Sequence, residues 1–526
     1  MAVGLEELIK ALEMWLKLIK KSEDRYIDSD LDPVLLVPGI AGSILNAVDD
    51  NGKEERIWVR ILRADHEFRD KLWSKYDPST GRTVSLDPNT RICVPEDRYG
   101  LYAIDCLDPD MVIGREGVCY FHDMIVEMLK WGFQEGKTLF GFGYDFRQSN
   151  RLPEAMSRFA AKLESVYSAS GGKKINVITH SMGGLLVKCF MSLHSDVFEK
   201  YVKNWIAIAA PFQGAPGYIT TSLLNGCSFV EGWQQNFFIS KWSMQQLLIE
   251  CPSIYELMGC PYYDWNVTPN LEVWRSKQNT NGNTTVMLEK YEPEETLSVM
   301  KEALSNNVVN VDGTDIHVPL NQDILKWALE TKGILKHAKL PPSVKFYNIY
   351  GMNCDTPHSV CYGSEQTPIL DLQELLPFKA EYICVDGDGT VPVESAKADG
   401  LDAEARVGVH GDHRSVLCDR HVFRILKHWL RAGEPDPFYD PVNDYVILPT
   451  AFELEKYKGE GVQITSMKED WEILSEDQTE KTPTMSSISV SQIGEDQSSL
   501  AEARVSAQSE GVQHVELRAV SVSTCG

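Results

Sequence analysis

NVITHSMGGLLVKCF (residues 176–190) runs from an apolar strand through a serine-centred turn into a helix. The run nearly spells G-x-S-x-G, with Ser181 and Gly183 in place but Thr179 where the first glycine belongs. A nucleophile elbow holds its serine on a strained strand-to-helix turn, so positions two residues away must be small for the flanking backbones to pass. Gly183 meets that demand on the helix side, and Gly184 gives the helix start further room. Thr179 is β-branched but modest in volume. These residues alone fit an ordinary β-to-α turn better than an elbow with one substitution.

Outward from this segment, apolar β-rich runs alternate with helical patterns. PVLLVPGIAGS (33–43) is a buried strand ending in a Pro-Gly turn, and TLFGFGYDFR (138–147) is a second strand. YFHDMIVEMLKWG (120–132) and LPEAMSRFAAKLESVYSASGG (152–172) are helices closed by glycine. Strands follow at 204–214, 344–351 and 381–389, and a last helix at 421–433. Continuous apolar strands alternating with helices predict an α/β fold: a mostly parallel sheet with helices on both faces. Residues 30–214 and 341–440 would form this core. The aromatic, then polar, stretch 215–340 interrupts the alternation and is expected as an inserted cap.

The 526 residues carry a formal charge of -25, which opposes loose electrostatic attraction to nucleic acid. Leu5, Leu8, Ile9, Leu12, Trp15, Leu16 and Ile19 make residues 1–29 an amphipathic helix, suited to packing on the domain or to a membrane interface. This start lacks the pattern of a secretory signal, and no stretch has the apolar length of a spanning helix. The twelve cysteines show no framework spacing, so reduced thiols and a cytoplasmic location are expected. After an extension at 441–464, residues 465–526 turn rich in Ser, Gln and Glu, with eleven acidic and four basic side chains. That composition predicts a disordered acidic tail.

Two distant loops bear on Ser181. VDGDGTVPVES (385–395) follows a strand, and VGVHGDHRSVLCDRHVF (407–423) precedes a helix. Together they give the order serine, acid, histidine, that of the α/β-hydrolases. Asp386 and Asp388 both qualify as the acid, and the D-G-T-V-P turn favours Asp388. A calcium loop fails, because Thr390 and Val391 stand where Asp/Asn and Gly are needed. His413, just ahead of the final helix, is preferred to His410; His421 lies on the helix, and His180 is expected to pack. Acyl transfer also needs donors for an oxyanion, and the N–H groups of Met182 and Ile40 are the candidates.

At this point PVLLVPGIAGS, YDFR (144–147), THSMGG (179–184), APFQG (210–214), GDGTVP (387–392) and DHRSVL (412–417) together resemble the lecithin:cholesterol acyltransferase-like lipases, in particular their plant cytosolic phospholipase A members. The resemblance covers residues 30–440. It implies an α/β-hydrolase with cap and lid that hydrolyses glycerophospholipid acyl esters, weakly favouring sn-2, without calcium or cofactor. Transfer to a sterol or diacylglycerol is the alternative, and lipid binding without catalysis a third reading. It implies Ser181 as nucleophile, Asp388 as acid, His413 as base, and Ile40 with Met182 as the oxyanion hole. Asp145 and Arg147 become a bracing ion pair. Trp58, in a lid near 51–75, becomes a lipid-contacting aromatic, with core burial as its alternative. Secreted relatives close this lid with a disulfide, but 51–73 contains no cysteine here. The implied partner is phospholipid at a membrane surface, reached by peripheral attachment, with the endoplasmic reticulum a candidate, and without nucleic acid, metal or transmembrane segment.

Overall fold

The structure is a computed structural model; it describes residues 26–59, 71–85, 89–109, 115–226, 241–278, 284–311, 314–433, 445–447, 485–492, 501–507 and 515–518. Seven strands form the central sheet: β1 (Val34–Val37), β2 (Leu139–Gly141), β3 (Ile175–His180), β4 (Val202–Ile208), β5 (Lys345–Met352), β6 (Ala403–His410) and β7 (Tyr445–Ile447). Their order across the sheet is β7-β6-β5-β4-β3-β1-β2, and every pair is parallel. All six residues of β3 are buried, because helices cover both faces and leave no wet side for polar alternation. This is the predicted α/β-hydrolase class.

The order of the strands creates the crevice. From β1 the chain moves to the β2 edge, then returns to lay β3 on the other side of β1 and proceeds outward through β4. The loops after β1 and β3 therefore leave neighbouring strand ends in opposite directions, a topological switch point open at the carboxyl edge. Val37 pairs with Thr179 at that edge, so the Pro38–Gly42 loop and the Ser181 turn begin side by side.

Amphipathic helices close the faces. In α1 (His122–Lys130), Met124, Ile125 and Met128 are buried; in α2 (Pro153–Ala169), Met156, Phe159, Leu163 and Val166 are. The helix after the serine turn, α3 (Gly183–Leu193), is buried through nine residues, Lys188 included, whose Nζ donates to the Asp399 carbonyl at 2.6 Å. In α4 (Arg420–Leu430), Asp419 caps the N-terminus by accepting from the His421 and Val422 amides.

Several expectations change. The strand at 381–389 leaves the central sheet: Ala380–Gly387 lies in a second, four-stranded sheet with Cys354–Tyr362, Leu271–Gln278 and Thr284–Tyr291. The chain runs from β5 through Asn353 (φ 68°) into that sheet, so 354–387 joins strands of the expected cap. Conversely, 407–410, read as the start of a loop, belongs to central strand β6, and the strand at 138–147 stops at Gly141. Cys106 and Cys119 form a disulfide, so the expectation of reduced thiols throughout does not hold for this pair. Within 51–75, Glu54–Trp58 is a strand of a three-stranded antiparallel sheet, while 60–70 lies outside the described residues. The N-terminal helix also lies outside them. Residues 470–526 form a separate unit, whose described residues are three antiparallel strands, Met485–Gln492, Ala501–Ala507 and Val515–Arg518.

Candidate active site

Ser181 leaves β3 with φ at 54°, in the left-handed region that costs a non-glycine residue about 1–3 kcal/mol. Its N–H donates to the Ile208 carbonyl and its carbonyl accepts from Gly184, holding the turn from both sides. A Cβ on Gly183 would lie 2.5 Å from the Pro38 carbonyl oxygen, so glycine is obligatory there. Thr179 is accommodated because it points into the core, where its Oγ1 accepts from the Trp205 indole at 3.1 Å.

The two loops named from sequence converge on this turn. His413 Nε2 lies 2.8 Å from Ser181 Oγ, and His413 Nδ1 lies 2.7 Å from Asp388 Oδ2. The other carboxylate oxygen of Asp388 accepts from the Thr390 and Val391 amides at 3.0 and 2.7 Å. Asp388 is 1% exposed, and its carbonyl accepts the His413 N–H at 2.8 Å, which fixes the imidazole's backbone as well as its ring. Asp386 instead accepts the Asn353 amide at 2.6 Å, at the passage between the sheets. His410 ends β6, and His421 sits in the first turn of α4. Serine, imidazole and carboxylate thus form one hydrogen-bonded chain, an arrangement able to move the hydroxyl proton and stabilise the resulting imidazolium.

Beside the serine, Met182 precedes α3, and Ile40 stands in the loop after β1; among the described residues neither N–H has a protein acceptor. That loop is held tightly. Tyr144 Oη donates to the Pro38 carbonyl at 3.0 Å, Gly42 N–H to the Gly39 carbonyl, and the Trp58 indole to the Ala41 carbonyl at 2.8 Å. Trp58 is 2% exposed and packs on Phe146. The lipid-contact reading of Trp58 is therefore corrected: its ring is core and its N–H braces the loop.

Arg147 is 1% exposed and grips both oxygens of Asp145, from Nε at 2.8 Å and from an Nη at 2.7 Å, while donating to the Leu72 carbonyl. Burial by itself would raise the Asp145 pKa, but Arg147 outweighs it and holds the carboxyl below its usual range. The pair is internal.

Sequence reading missed Tyr120 and the use of His180. Tyr120 Oη lies 2.6 Å from His180 Nδ1, and His180 Nε2 lies 2.8 Å from the His413 carbonyl. Tyr120 Oη also accepts the Gly39 N–H at 2.8 Å. Burial, aided by neighbouring His413, pushes the His180 pKa well below the ordinary imidazole value, leaving a neutral ring. Spacing carries no sign of this, since Tyr120 and His180 are sixty residues apart. Over Ser181 and His413 opens a cavity of about 330 Å³, walled largely by apolar side chains such as Ile40, Pro211, Ile219 and Leu257.

Comparison with known proteins agrees with this architecture. The family model described as Lecithin:cholesterol acyltransferase matches residues 54–410. The chain is 65% identical to Lecithin-cholesterol acyltransferase-like 4 of Arabidopsis thaliana, covering 99% of each chain. It is 50% identical to Phospholipase A(1) LCAT3 of the same plant, over 76% of this chain and 91% of that one. More distantly, it is 24% identical to the Homo sapiens Lysosomal phospholipase A and acyltransferase, over 69% and 80%. With matches of this length on an α/β-hydrolase sheet, the chain belongs to the lecithin:cholesterol acyltransferase family and is a serine hydrolase/acyltransferase enzyme.

Proposed function

We propose that the protein is a phospholipase A that cleaves a glycerophospholipid acyl ester through an acyl-serine intermediate. The hydrogen-bonded chain Ser181–His413–Asp388 beneath an apolar cavity is the observation that carries this reading. His413 Nε2 takes the Oγ proton as Oγ bonds to the ester carbonyl carbon. The Ile40 and Met182 N–H groups receive the charge that develops on the carbonyl oxygen. The tetrahedral centre collapses, the C–O bond to glycerol breaks, and His413 returns the proton to the departing lysophospholipid. Water, deprotonated by the same imidazole, then releases the fatty acid. The developing charge is met by backbone donors, so the step calls for no calcium, and chelation should leave the rate unchanged.

The cavity walls suit an acyl chain drawn from a bilayer. Access by peripheral attachment from the cytoplasmic side belongs to the same proposal; among the described residues no helix is long and apolar enough to cross a membrane. The names of the relatives support both hydrolysis and transfer. Mass spectrometry on a phosphatidylcholine with palmitate at sn-1 and oleate at sn-2 tests the reading. Released palmitate would match the A(1) designation of the Arabidopsis thaliana relative, and released oleate the sn-2 preference implied by resemblance. A new ester in place of free acid, when a sterol or diacylglycerol is added, would make the enzyme an acyltransferase. Ser181→Ala should reduce product by about 10⁴-fold or more and abolish fluorophosphonate labelling. Full hydrolysis by that variant would refute the mechanism.

A further inference from the structure

We propose that Tyr120 and His180 are positioning residues that lock the oxyanion loop to the catalytic base, an inference that rests on the roles given above to Ile40, Ser181 and His413. The donor directions follow from chemistry. The His413 carbonyl can only accept, so the proton of the neutral His180 ring sits on Nε2, 2.8 Å away. Nδ1 is then bare and must accept from the Tyr120 hydroxyl at 2.6 Å. The Tyr120 oxygen, having given its proton, accepts the Gly39 N–H at 2.8 Å. One unbroken chain therefore runs from Gly39 N–H through Tyr120 and His180 to the backbone of His413.

Both ends of this chain matter to the reaction. Gly39 precedes Ile40, whose N–H is the proposed oxyanion donor. A Cβ at Gly39 would lie 2.6 Å from Ser181 Cβ, so this backbone rests directly against the nucleophile. At the far end, Asp388 holds the His413 N–H and His180 holds the His413 carbonyl, so the base is clamped on both backbone groups. The rings reinforce this: Tyr120 meets His180 edge-on at 5.4 Å, and His180 lies 4.8 Å from His413. Tyr120 is itself fixed to the scaffold through its N–H to the Asp105 carbonyl at 2.7 Å. Donor loop and base are thus held at a set separation by side chains that perform no proton transfer to substrate.

The test uses the full chain and a soluble short-chain ester, so that vesicle binding does not enter. Tyr120→Phe keeps the ring but removes both hydrogen bonds. Its kcat should fall about 10- to 100-fold while KM stays within about twofold, as expected when reacting groups are misplaced but binding is intact. His180→Leu should lose a similar amount. His180→Gln, whose amide offers a donor and an acceptor at similar spacing, should recover most of it. The double variant Tyr120→Phe/His180→Leu should be little worse than either single one, because one chain is broken only once. Unchanged kcat in Tyr120→Phe, or a Gln variant no better than Leu, would overturn the proposal while Ser181→Ala remained inactive. An active Ser181→Ala would instead overturn the parent mechanism. Should His180→Leu not fold, Tyr120→Phe, with its packing preserved, decides alone.

Discussion

Position 179 shows how a side chain that breaks a pattern can be used. The elbow needs backbone clearance against α3, and Gly183 supplies it; Thr179 turns away and gives its hydroxyl oxygen to Trp205. Asp145 illustrates the opposite case, a residue whose worth depends wholly on its partner. Its folded-state pKa is lowered, so the stability it contributes is present above the ordinary carboxylate pKa and is lost as pH falls through the lowered folded value. Asp145→Asn would leave the buried Arg147 guanidinium without its counter-charge. Urea unfolding at neutral pH should show a loss of about 3–5 kcal/mol. The same variant should also lose less further stability on acidification than the parent does.

Among the elements, the loop after β1 is the one whose shape the chemistry depends on most. Its carbonyls at Pro38 and Ala41 are each taken by a side chain from elsewhere, Tyr144 and Trp58, and its Gly39 and Gly42 amides are also bonded, which leaves the Ile40 N–H without a protein acceptor among the described residues. Trp58→Phe keeps an aromatic ring and removes only the donor to Ala41. Turnover of a soluble ester should then fall several-fold, and leaving a buried carbonyl unmatched should cost about 1–3 kcal/mol of stability. Pelleting with phospholipid vesicles should not change. A variant with normal soluble-ester turnover but weakened pelleting would restore Trp58 to a lipid-facing role. The second sheet has a comparable duty, since Asp388 directly follows its strand Ala380–Gly387 and reaches β5 only because the chain turns at Asn353.

For the molecule as a whole, all the proposed catalytic groups lie in the unit ending at Glu469. A chain stopped there should keep its kcat on a soluble ester within about twofold; a loss beyond tenfold would assign residues 470–526 a part in the reaction. Local sequence was enough to show the alternating architecture and the serine turn and to single out candidates for acid and base, because strand burial and elbow sterics are demands written in neighbouring residues. Asp388 and His413 stand out as candidates through their short turn motifs, whereas the apolar run 381–389 does not reveal which sheet it joins. An apolar strand looks alike in either sheet, and pairing direction is decided by partners far along the chain. The folded chain was needed to see that Trp58 is buried, that Cys106 meets Cys119, and that Tyr120 and His180 link the Gly39 N–H to the His413 carbonyl. Each of those facts is a distance between residues that the backbone brings together, and hydrogen-bond direction follows from which atoms meet, which no spacing along the chain encodes.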